Sequence, residues 1–235
     1  MPRTQGSISL FVPFYDELLA LPEATRQILA VFDGLDLRTE LLLVDDGSRD
    51  GSGELADHIA AGDDRIVVVH HERNLGYGAA LVTGFSNCTG DVVMYSDADL
   101  PVRIGRFVEA LPLLEDADLV VGYPLGWDKT LRRRLYTGAY TALARRLLGL
   151  EVRDINFSFK LIRRELLERI RLDARTGFVD AQILVESVRA GAKLVECGVD
   201  YQERQVGETH FDDPMRGVET GLELLRWWWA DRRRR

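Results

Sequence analysis

The stretch VVMYSDADLP, from Val92 to Pro101, places two carboxylates directly after an apolar run. The run predicts a buried β-strand, and Asp97 and Asp99 follow where that strand would end. Residues two apart in an extended chain point to the same side, so the two carboxylates would lie side by side. Such a pair repels itself and suits a hard divalent cation such as Mg²⁺ or Mn²⁺. The alternative is a solvated loop or a helix N-cap, because Asp99 precedes a predicted helix.

Apolar runs alternate with helical patterns along the first half of the chain. Strands are predicted over residues 8–14, 40–45, 65–70, 91–95 and 118–122, and helices over residues 18–32, 53–61, 77–87 and 104–114. Strands that are apolar on both faces and alternate with helices predict an α/β fold, in which a mostly parallel, twisted sheet is flanked by helices.

Polar clusters stand at the predicted carboxyl ends of four strands. They are PFYDE (13–17), DDGS (45–48), ERNLGYG (72–78) and SDADL (96–100). Ligands of parallel sheets bind beyond the carboxyl ends of the strands, so we expect the four clusters to meet in one crevice. Asp45 and Asp46 have carboxylates suited to hydrogen bonds with a base or with ribose hydroxyls. The alternative for these two residues is a polar turn that leads into a helix N-cap.

Gly76 and Gly78 open the predicted helix over residues 77–87. Their spacing resembles a dinucleotide-binding fingerprint only faintly, and the strand before them is the third in order. A nicotinamide-binding Rossmann fold is therefore disfavoured. We expect these glycines to let the backbone pass close to the site.

The pattern changes beyond residue 123. A long arginine-rich helix is predicted over residues 131–148, followed by a strand or extended segment over 154–162, helices over 163–170 and 178–190, a strand over 194–201 and a C-terminal helix. The whole sheet is expected to hold about eight strands. No repeat or linker interrupts the chain, which indicates one domain over residues 1–235.

The overall composition narrows the class of protein. A net charge of −8 argues against electrostatic binding of nucleic acid. Cys88 and Cys197 stand far apart and have no metal-binding spacing, so a reducing compartment is expected. No segment has the character of a signal peptide or of a membrane span, which favours a cytoplasmic location.

Five motifs, taken in order, resemble the family 2 inverting glycosyltransferases of GT-A fold. They are VPFYDE (12–17), VDDGS (44–48), NLGYGAA (74–80), GDVVMYSDADL (90–100) and VRDINFSFKLIRRELL (152–167). RQVGETH (204–210) is similar to the Arg-x-x-Gly-Glu-Ser-Lys motif of one subgroup, the polyprenol-phosphate (dolichol-phosphate) mannose and glucose synthases. The resemblance covers nearly the whole chain.

The resemblance implies a Rossmann-like nucleotide-sugar-binding half (1–123), an acceptor half (124–213) and a C-terminal amphipathic helix with a basic tail (214–235). It implies that Asp97 and Asp99 hold Mg²⁺ or Mn²⁺ against the diphosphate of the donor. Arg204 would close on that diphosphate from a mobile loop. The implied nucleotide-sugar site consists of Pro13, Tyr15, Glu17, Asp45, Asp46, Asn74, Gly76, Asp97, Ala98, Asp99 and Arg204.

The implied reaction moves a hexose from GDP-mannose or UDP-glucose to a polyprenyl phosphate with inversion. A phosphate acceptor needs cations to place it, and basic residues in the region of Arg132, Arg133 and Arg134 serve this purpose in the resembling subgroup. A hydroxyl acceptor needs a general base, and Asp180 is equally well interpreted as that base or as a structural N-cap. The candidate catalytic residues are Asp97, Asp99, Asp180 and Arg204. The alternatives are a soluble GT-A enzyme acting on a hydroxyl of a small molecule or glycan, and a non-catalytic nucleotide-sugar-binding protein.

The predicted C-terminal helix has an apolar stripe of Val218, Leu222, Leu225 and Trp229. Three tryptophans at 227–229 precede Arg232–Arg235, and tryptophan with basic charge suits a membrane interface. A lipid acceptor would require such a surface, so we expect a peripheral enzyme at the cytoplasmic membrane face. The alternative is a helix packed on the core with a frayed tail.

Several positions depart from the pattern of the resembling family. Pro101 replaces a glutamine, Gly122-Tyr123-Pro124 replaces Gly-Ser-Arg, Phe157-Ser158-Phe159-Lys160 replaces a Ser-Gly-Phe-Arg core, and His210 replaces a lysine. These departures leave the glycosyltransferase resemblance intact. They bear on how the metal and the phosphates are held.

Overall fold

A seven-stranded sheet forms the centre of the computed structural model, which describes residues 6–126, 131–201 and 214–233. The strands are β1 (Ser7–Phe14), β2 (Arg38–Asp45), β3 (Ile66–His70), β4 (Val92–Tyr95), β5 (Leu119–Leu125), β6 (Lys160–Arg163) and β7 (Leu194–Asp200). Their order in the sheet is β3-β2-β1-β4-β6-β5-β7. Neighbouring strands are parallel except that β6 is antiparallel to both β4 and β5.

Helices cover both faces of the sheet. They are α1 (Leu21–Phe32), α2 (Ser52–Ala60), α3 (Tyr77–Asn87), α4 (Ile104–Ala110), α5 (Leu131–Leu148), α6 (Arg164–Leu167), α7 (Phe178–Arg189) and α8 (Pro214–Arg232). Helices α1, α2 and α4 pack on one face, and α3, α5, α7 and α8 pack on the other. Along β1, Leu10 belongs to the first layer and Phe11 to the second, which is why the strands are apolar throughout. No helix in the described part of the chain has the length and apolar content to cross a membrane.

The predicted α/β fold, with a mostly parallel sheet flanked by helices, is confirmed, but two predicted elements are shorter. The strand predicted over residues 154–162 is present only as β6. The Asp154 carboxylate accepts the Asn156 N–H (3.1 Å), and this turn ends the extended conformation expected there. The helix predicted over residues 163–170 is the single turn α6.

Two prolines explain further differences in helix boundaries. The helix predicted over residues 104–114 ends as α4 at Ala110, and a 3₁₀ turn follows because Pro112 cannot donate a backbone hydrogen bond. The helix predicted over residues 18–32 begins at Leu21, with Pro22 in the first turn, where no N–H is needed. The sheet has seven strands within the described ranges, where about eight were expected.

Candidate active site

Hydrogen bonds join the loops that follow β1, β2, β3 and β4. The Asp16 N–H donates to Ser48 Oγ (3.0 Å), which ties the loop after β1 to the loop after β2. The Asp46 carboxylate accepts a backbone N–H at the start of α3 (2.9 Å). The Tyr77 hydroxyl, on α3, donates to Asp97 Oδ1 beyond β4 (3.3 Å). The four polar clusters of the sequence therefore meet at one edge of the sheet, as the topology rule predicts.

The backbone adopts rare conformations at this same edge. Leu100 directly follows the paired carboxylates and has a φ of 46°, in the left-handed region. Asp16, beyond β1, has a φ of 54°. Among the described residues, these are the two non-glycine residues with positive φ. Such conformations persist only where the surroundings hold them, and they cluster at ligand sites.

The Asp97 carboxyl lies in surroundings that disfavour its charge. Burial, and then the neighbouring Asp99 carboxylate, raise the pKa of Asp97 to about 7. Hydrogen bonds from the Ser158 and Tyr77 hydroxyls act in the opposite direction. A carboxylate that resists ionising beside a second carboxylate forms a site where a bound cation is stabilising.

The donor set fits a hard divalent cation that takes few ligands from the protein. Within residues 6–126, 131–201 and 214–233, no group of three or more His, Cys, Asp or Glu side chains is placed to hold a metal. Asp97 and Asp99 would supply carboxylate oxygens, leaving the remaining positions to phosphate oxygens and water, a shell that Mg²⁺ accepts readily. The alternative interpretation of Asp99 as a helix N-cap is wrong, because Arg103 is the N-cap of α4.

A buried polar network lies behind the paired carboxylates. Lys160 Nζ donates to Asp180 Oδ1 (2.6 Å), to the Tyr95 hydroxyl (3.2 Å) and to the Phe157 carbonyl (2.9 Å). The Tyr95 hydroxyl donates to the same Asp180 oxygen (2.5 Å). Lys160 and Asp180 are both buried, so each charge is compensated mainly by the other.

Asp180 does not cap a helix. It is the third residue of α7, whose N-cap is Gly177, so the interpretation of Asp180 as a structural N-cap is wrong. Its carboxylate instead binds Lys160 and Tyr95. Neither Lys160 nor Tyr95 was among the site residues predicted from the sequence. A lysine within the apolar run 157–162 was the available signal, because a buried ammonium requires a paired charge.

The two carboxylates after β2 fix neighbouring loops. Asp45 accepts the Ser48 N–H (2.8 Å) and faces His70 Nδ1 (2.8 Å), and this contact raises the pKa of His70. Asp46 faces His71 Nδ1 (2.7 Å). Both carboxylates are buried. Their contacts with a base or ribose stay a prediction, and the two histidines were missing from the residues predicted from sequence.

Gly76 and Gly78 do allow a close approach, but the approach is to another segment of the protein. Gly76 has a φ of 97°, a conformation that favours glycine. A Cβ on Gly78 would lie 2.4 Å from the Thr176 carbonyl oxygen and 2.5 Å from the Arg175 carbonyl carbon, so no side chain fits there. The start of α3 therefore packs directly on the segment 175–177 that leads into α7.

The other predicted residues lie around this edge or outside the described residues. Pro13 is buried in β1, Tyr15 and Glu17 are half-buried just beyond it, Asn74 is exposed, and Ala98 is buried. Arg132, Arg133 and Arg134 lie in the first turn of α5, and their side chains are outside what the structure describes. Arg204 and His210 lie outside the described residues.

Helix α8 packs on the protein with one side and exposes an apolar stripe on the other. Thr220 and Leu224 are buried, and the ring centroids of Trp227 and Phe178 are 5.6 Å apart. The exposed stripe of α8 consists of Met215, Val218, Leu222, Leu225 and Trp229. The guanidinium of Arg233 lies 4.8 Å from the centroid of the Trp229 ring. The predicted stripe therefore faces solvent, while the opposite side of the helix packs on the core.

The mostly parallel sheet, with paired carboxylates at the carboxyl end of a central strand, defines a protein of GT-A fold. A model of the family described as glycosyl transferase family 2 matches residues 9–171, more than half of the chain. The chain belongs to glycosyl transferase family 2.

Curated relatives are similar over nearly the whole chain. Glycosyltransferase AglD of Haloferax volcanii is 30% identical over 94% of this chain, and an undecaprenyl-phosphate 4-deoxy-4-formamido-L-arabinose transferase of Pseudomonas syringae is 33% identical over 93%. The chain spans 37% and 64% of the lengths of these two relatives. An undecaprenyl-phosphate mannosyltransferase of Micrococcus luteus is 30% identical over 94% of this chain and 93% of its own length.

Solved structures share the fold. Glucosyl-3-phosphoglycerate synthase of Mycobacterium tuberculosis, in complex with Mn²⁺, UDP and glucosyl-3-phosphoglycerate, has a TM-score of 0.69 and 24% identity. The match covers 94% of this chain and 79% of that one. The same enzyme in complex with Mg²⁺ and UDP has a TM-score of 0.67 and 22% identity, over 93% and 79% of the two chains. These similarities support the GT-A fold.

Proposed function

We propose that the protein is a metal-dependent inverting glycosyltransferase that moves a hexose from GDP-mannose or UDP-glucose to a polyprenyl phosphate at the cytoplasmic face of a membrane. The observation that carries this proposal is the pair of Asp97 and Asp99, whose mutual repulsion a cation bound to a diphosphate would relieve. Relatives support the acceptor class, because two of those described above are named as transferases acting on undecaprenyl phosphate.

The donor would bind across the carboxyl edge of the sheet. Asp97 and Asp99 would hold Mg²⁺ or Mn²⁺, which when bound neutralises the charge of the departing nucleoside diphosphate. The Tyr77 and Ser158 hydroxyls restrain the Asp97 carboxylate by hydrogen bonds. The mycobacterial synthase structures, which contain Mn²⁺ or Mg²⁺ with UDP, support this arrangement. The proposed nucleoside contacts are Pro13, Tyr15, Glu17, Asp45, Asp46, Asn74, Gly76 and Ala98.

The proposed step is a displacement at the anomeric carbon of the sugar. An oxygen of the acceptor phosphate forms a bond to that carbon, the bond to the nucleoside diphosphate breaks with its electron pair, and the configuration inverts. A phosphate is already anionic at neutral pH, so this step needs no general base. The binding of Asp180 by Lys160 and Tyr95 supports a structural role for that carboxylate. Arg204 and the arginines at 132–134 are proposed to neutralise the phosphates.

An anionic lipid bilayer is the proposed partner of the exposed stripe of α8. The stripe is apolar. Exposed arginines, namely Arg226, Arg232 and Arg233, lie in the C-terminal part of α8 and directly after it. The chain as a whole carries a net charge of −8, but these arginines form a local excess of cations. Such an excess is complementary to anionic headgroups. Indole rings under guanidinium groups suit the headgroup level of a bilayer, with the helix lying in the plane of the interface.

A donor-by-acceptor matrix tests the proposed function. The protein is incubated with Mn²⁺ and GDP-mannose, UDP-glucose, UDP-GlcNAc or UDP-galactose, each with and without a short polyprenyl phosphate. Release of nucleoside diphosphate and of solvent-extractable sugar are both measured, with Asp99→Asn as the blank. We expect extractable sugar only with the lipid, from one donor, and none from the variant.

Other outcomes favour other functions. Nucleotide release that is independent of the lipid would favour the enzyme acting on a hydroxyl, and Asp180→Asn should then abolish turnover. Tight nucleotide binding with no release of sugar under any condition would favour a non-catalytic binding protein. Membership of a transferase family favours an enzyme over that last alternative.

A further inference from the structure

A carboxylate on α8 binds the backbone of the segment 175–177. Glu223 Oε1 accepts the Arg175 N–H (2.9 Å), and Oε2 accepts both the Thr176 N–H (2.9 Å) and the Thr176 hydroxyl (2.5 Å). Three hydrogen bonds to one ionisable carboxylate make a strong, directional contact. Glu223 therefore fixes this short loop from the α8 side.

The Arg175–Thr176 peptide, whose N–H donates to Glu223, also packs on the start of α3. At Gly78, a Cβ would lie 2.6 Å from the Thr176 nitrogen, the same nitrogen that donates to Glu223. The Arg175–Thr176 peptide is thus held between Gly78 on α3 and Glu223 on α8. Tyr77, the neighbour of Gly78, donates its hydroxyl to Asp97. A shift of this peptide would therefore move a hydroxyl that restrains one of the paired carboxylates.

The segment also sets the start of α7. The Thr176 hydroxyl, which donates to Glu223, accepts the Phe178 N–H (3.2 Å) at the first residue of α7. Asp180 follows two residues later and belongs to the buried network behind the site. One loop therefore positions the beginnings of two helices, and each helix contributes a side chain next to the paired carboxylates.

We infer that Glu223 is a positioning residue of the donor site, acting through the segment 175–177 on Tyr77 and Asp180. In this role Glu223 acts through the residues that it binds and not by contact with the donor or the reacting atoms. The inference rests on the proposed function in one respect, namely that the ligand is a metal-bound nucleoside diphosphate. Because partners that orient metal ligands commonly change metal affinity 10–100-fold, loss of Glu223 should weaken donor binding by about tenfold.

Isothermal titration of GDP and of UDP, in the presence of Mn²⁺, tests this role without any acceptor or lipid. Glu223→Gln places an amide NH₂ where one carboxylate oxygen accepted an N–H, so one of the contacts becomes repulsive. We expect the Kd for the nucleotide that binds the wild type to rise about tenfold. The matched control is Glu219→Gln, one turn earlier on α8 and exposed, which should leave the Kd unchanged.

Steady-state kinetics separate positioning from a general loss of structure. Glu223→Gln should raise KM for the nucleotide sugar and leave KM for the acceptor unchanged. If Glu223→Gln does not fold, Thr176→Val replaces it, because it removes the hydroxyl bound to Glu223 at nearly constant volume, and it too should raise the nucleotide Kd. An unchanged Kd in a folded variant of either residue would overturn the inference. Absence of nucleotide binding by the wild type would overturn the proposed function itself, and the inference with it.

Discussion

The Lys160 ammonium lies 2.6 Å from the Asp180 carboxylate, and neither side chain is more than 2% exposed. Lys160 begins β6, the antiparallel strand beside β4, and Asp180 lies on α7. The pair therefore joins the sheet to a helix directly behind the paired carboxylates. Burying two charges costs several kcal/mol for each, and their pairing, with the Tyr95 hydroxyl, offsets that cost.

Removing one charge of this pair should be more harmful than removing both. Lys160→Met leaves the Asp180 carboxylate buried without its cation and should lower the free energy of unfolding by about 3 kcal/mol or more. The double variant Lys160→Met/Asp180→Leu should recover much of this loss. Urea unfolding of the wild type, both single variants and the double variant measures the coupling. If the double variant lost as much free energy of unfolding as the two single variants together, this result would contradict the pairing.

Asp99→Asn should affect stability and binding in opposite directions. The Asp99 carboxylate disfavours ionisation of Asp97, so its removal should raise the Tm of the metal-free protein by about 2–5 °C near neutral pH. The same change removes a proposed metal ligand, so Mn²⁺ with a nucleotide should no longer raise the Tm. Thermal unfolding of the wild type and the variant, with and without Mn²⁺ and a nucleotide, measures both changes in Tm. A stabilising effect of Mn²⁺ that survives in the variant would contradict the proposed site.

His70 should contribute more stability in mildly acidic solution than in alkaline solution. Its hydrogen bonds with Asp45 and then with Asp57 raise the pKa of His70 above its ordinary value of 6.5. The stabilisation is full below the ordinary pKa and is lost as the pH rises through the raised one. Urea unfolding of the metal-free protein at about pH 6 and about pH 8 measures how far the free energy of unfolding differs between the two pH values. His70→Gln should reduce it, whereas the exposed His58→Gln should not.

The exposed stripe of α8 should bind vesicles that contain an anionic lipid such as phosphatidylglycerol. Leu222→Glu places a charge at the centre of the stripe and should weaken binding about tenfold or more, because burial of a leucine contributes about 1.5–3 kcal/mol. Leu113→Glu, at an exposed leucine in the 3₁₀ turn 111–115, is the matched control. Sedimentation with vesicles measures the partition. A stable dimer that Leu222→Glu dissociates would show instead that a second copy covers the stripe.

The paired carboxylates could be predicted because they follow from local rules. An apolar run followed by two aspartates one residue apart predicts both the strand and the carboxylate pair. The alternation of strands and helices predicts at which edge of the sheet the site lies. The exposed stripe of α8 was predictable in the same way, from helical spacing alone. The structure added Met215, which extends the stripe by one turn.

The contacts that support the site could not be predicted, because they join residues far apart in the sequence. Lys160 and Asp180 meet only because β6 inserts between β4 and β5, a strand order that no local pattern encodes. His70 and His71 stood in a predicted strand and its loop, where nothing showed that they would face Asp45 and Asp46. These contacts depend on tertiary packing, which also decides which of several polar residues face one another.

Two glycines, each in the first turn of a helix, should change the stability of the protein in opposite directions when replaced by alanine. At Gly78 the new methyl group would meet the Arg175–Thr176 peptide at 2.5–2.6 Å, and this backbone cannot yield without loosening its contact with Glu223. Gly78→Ala should therefore lower the free energy of unfolding by about 1–3 kcal/mol and weaken binding of Mn²⁺ with a nucleotide. At Gly105, on α4, a Cβ meets nothing within 4 Å, so Gly105→Ala should stabilise by about 0.5–1 kcal/mol through the helix preference of alanine. Urea unfolding of both variants measures the change in stability, and isothermal titration measures binding of Mn²⁺ with a nucleotide. A Gly78→Ala protein as stable as the wild type would show that the segment 175–177 adjusts freely and transmits nothing to Tyr77.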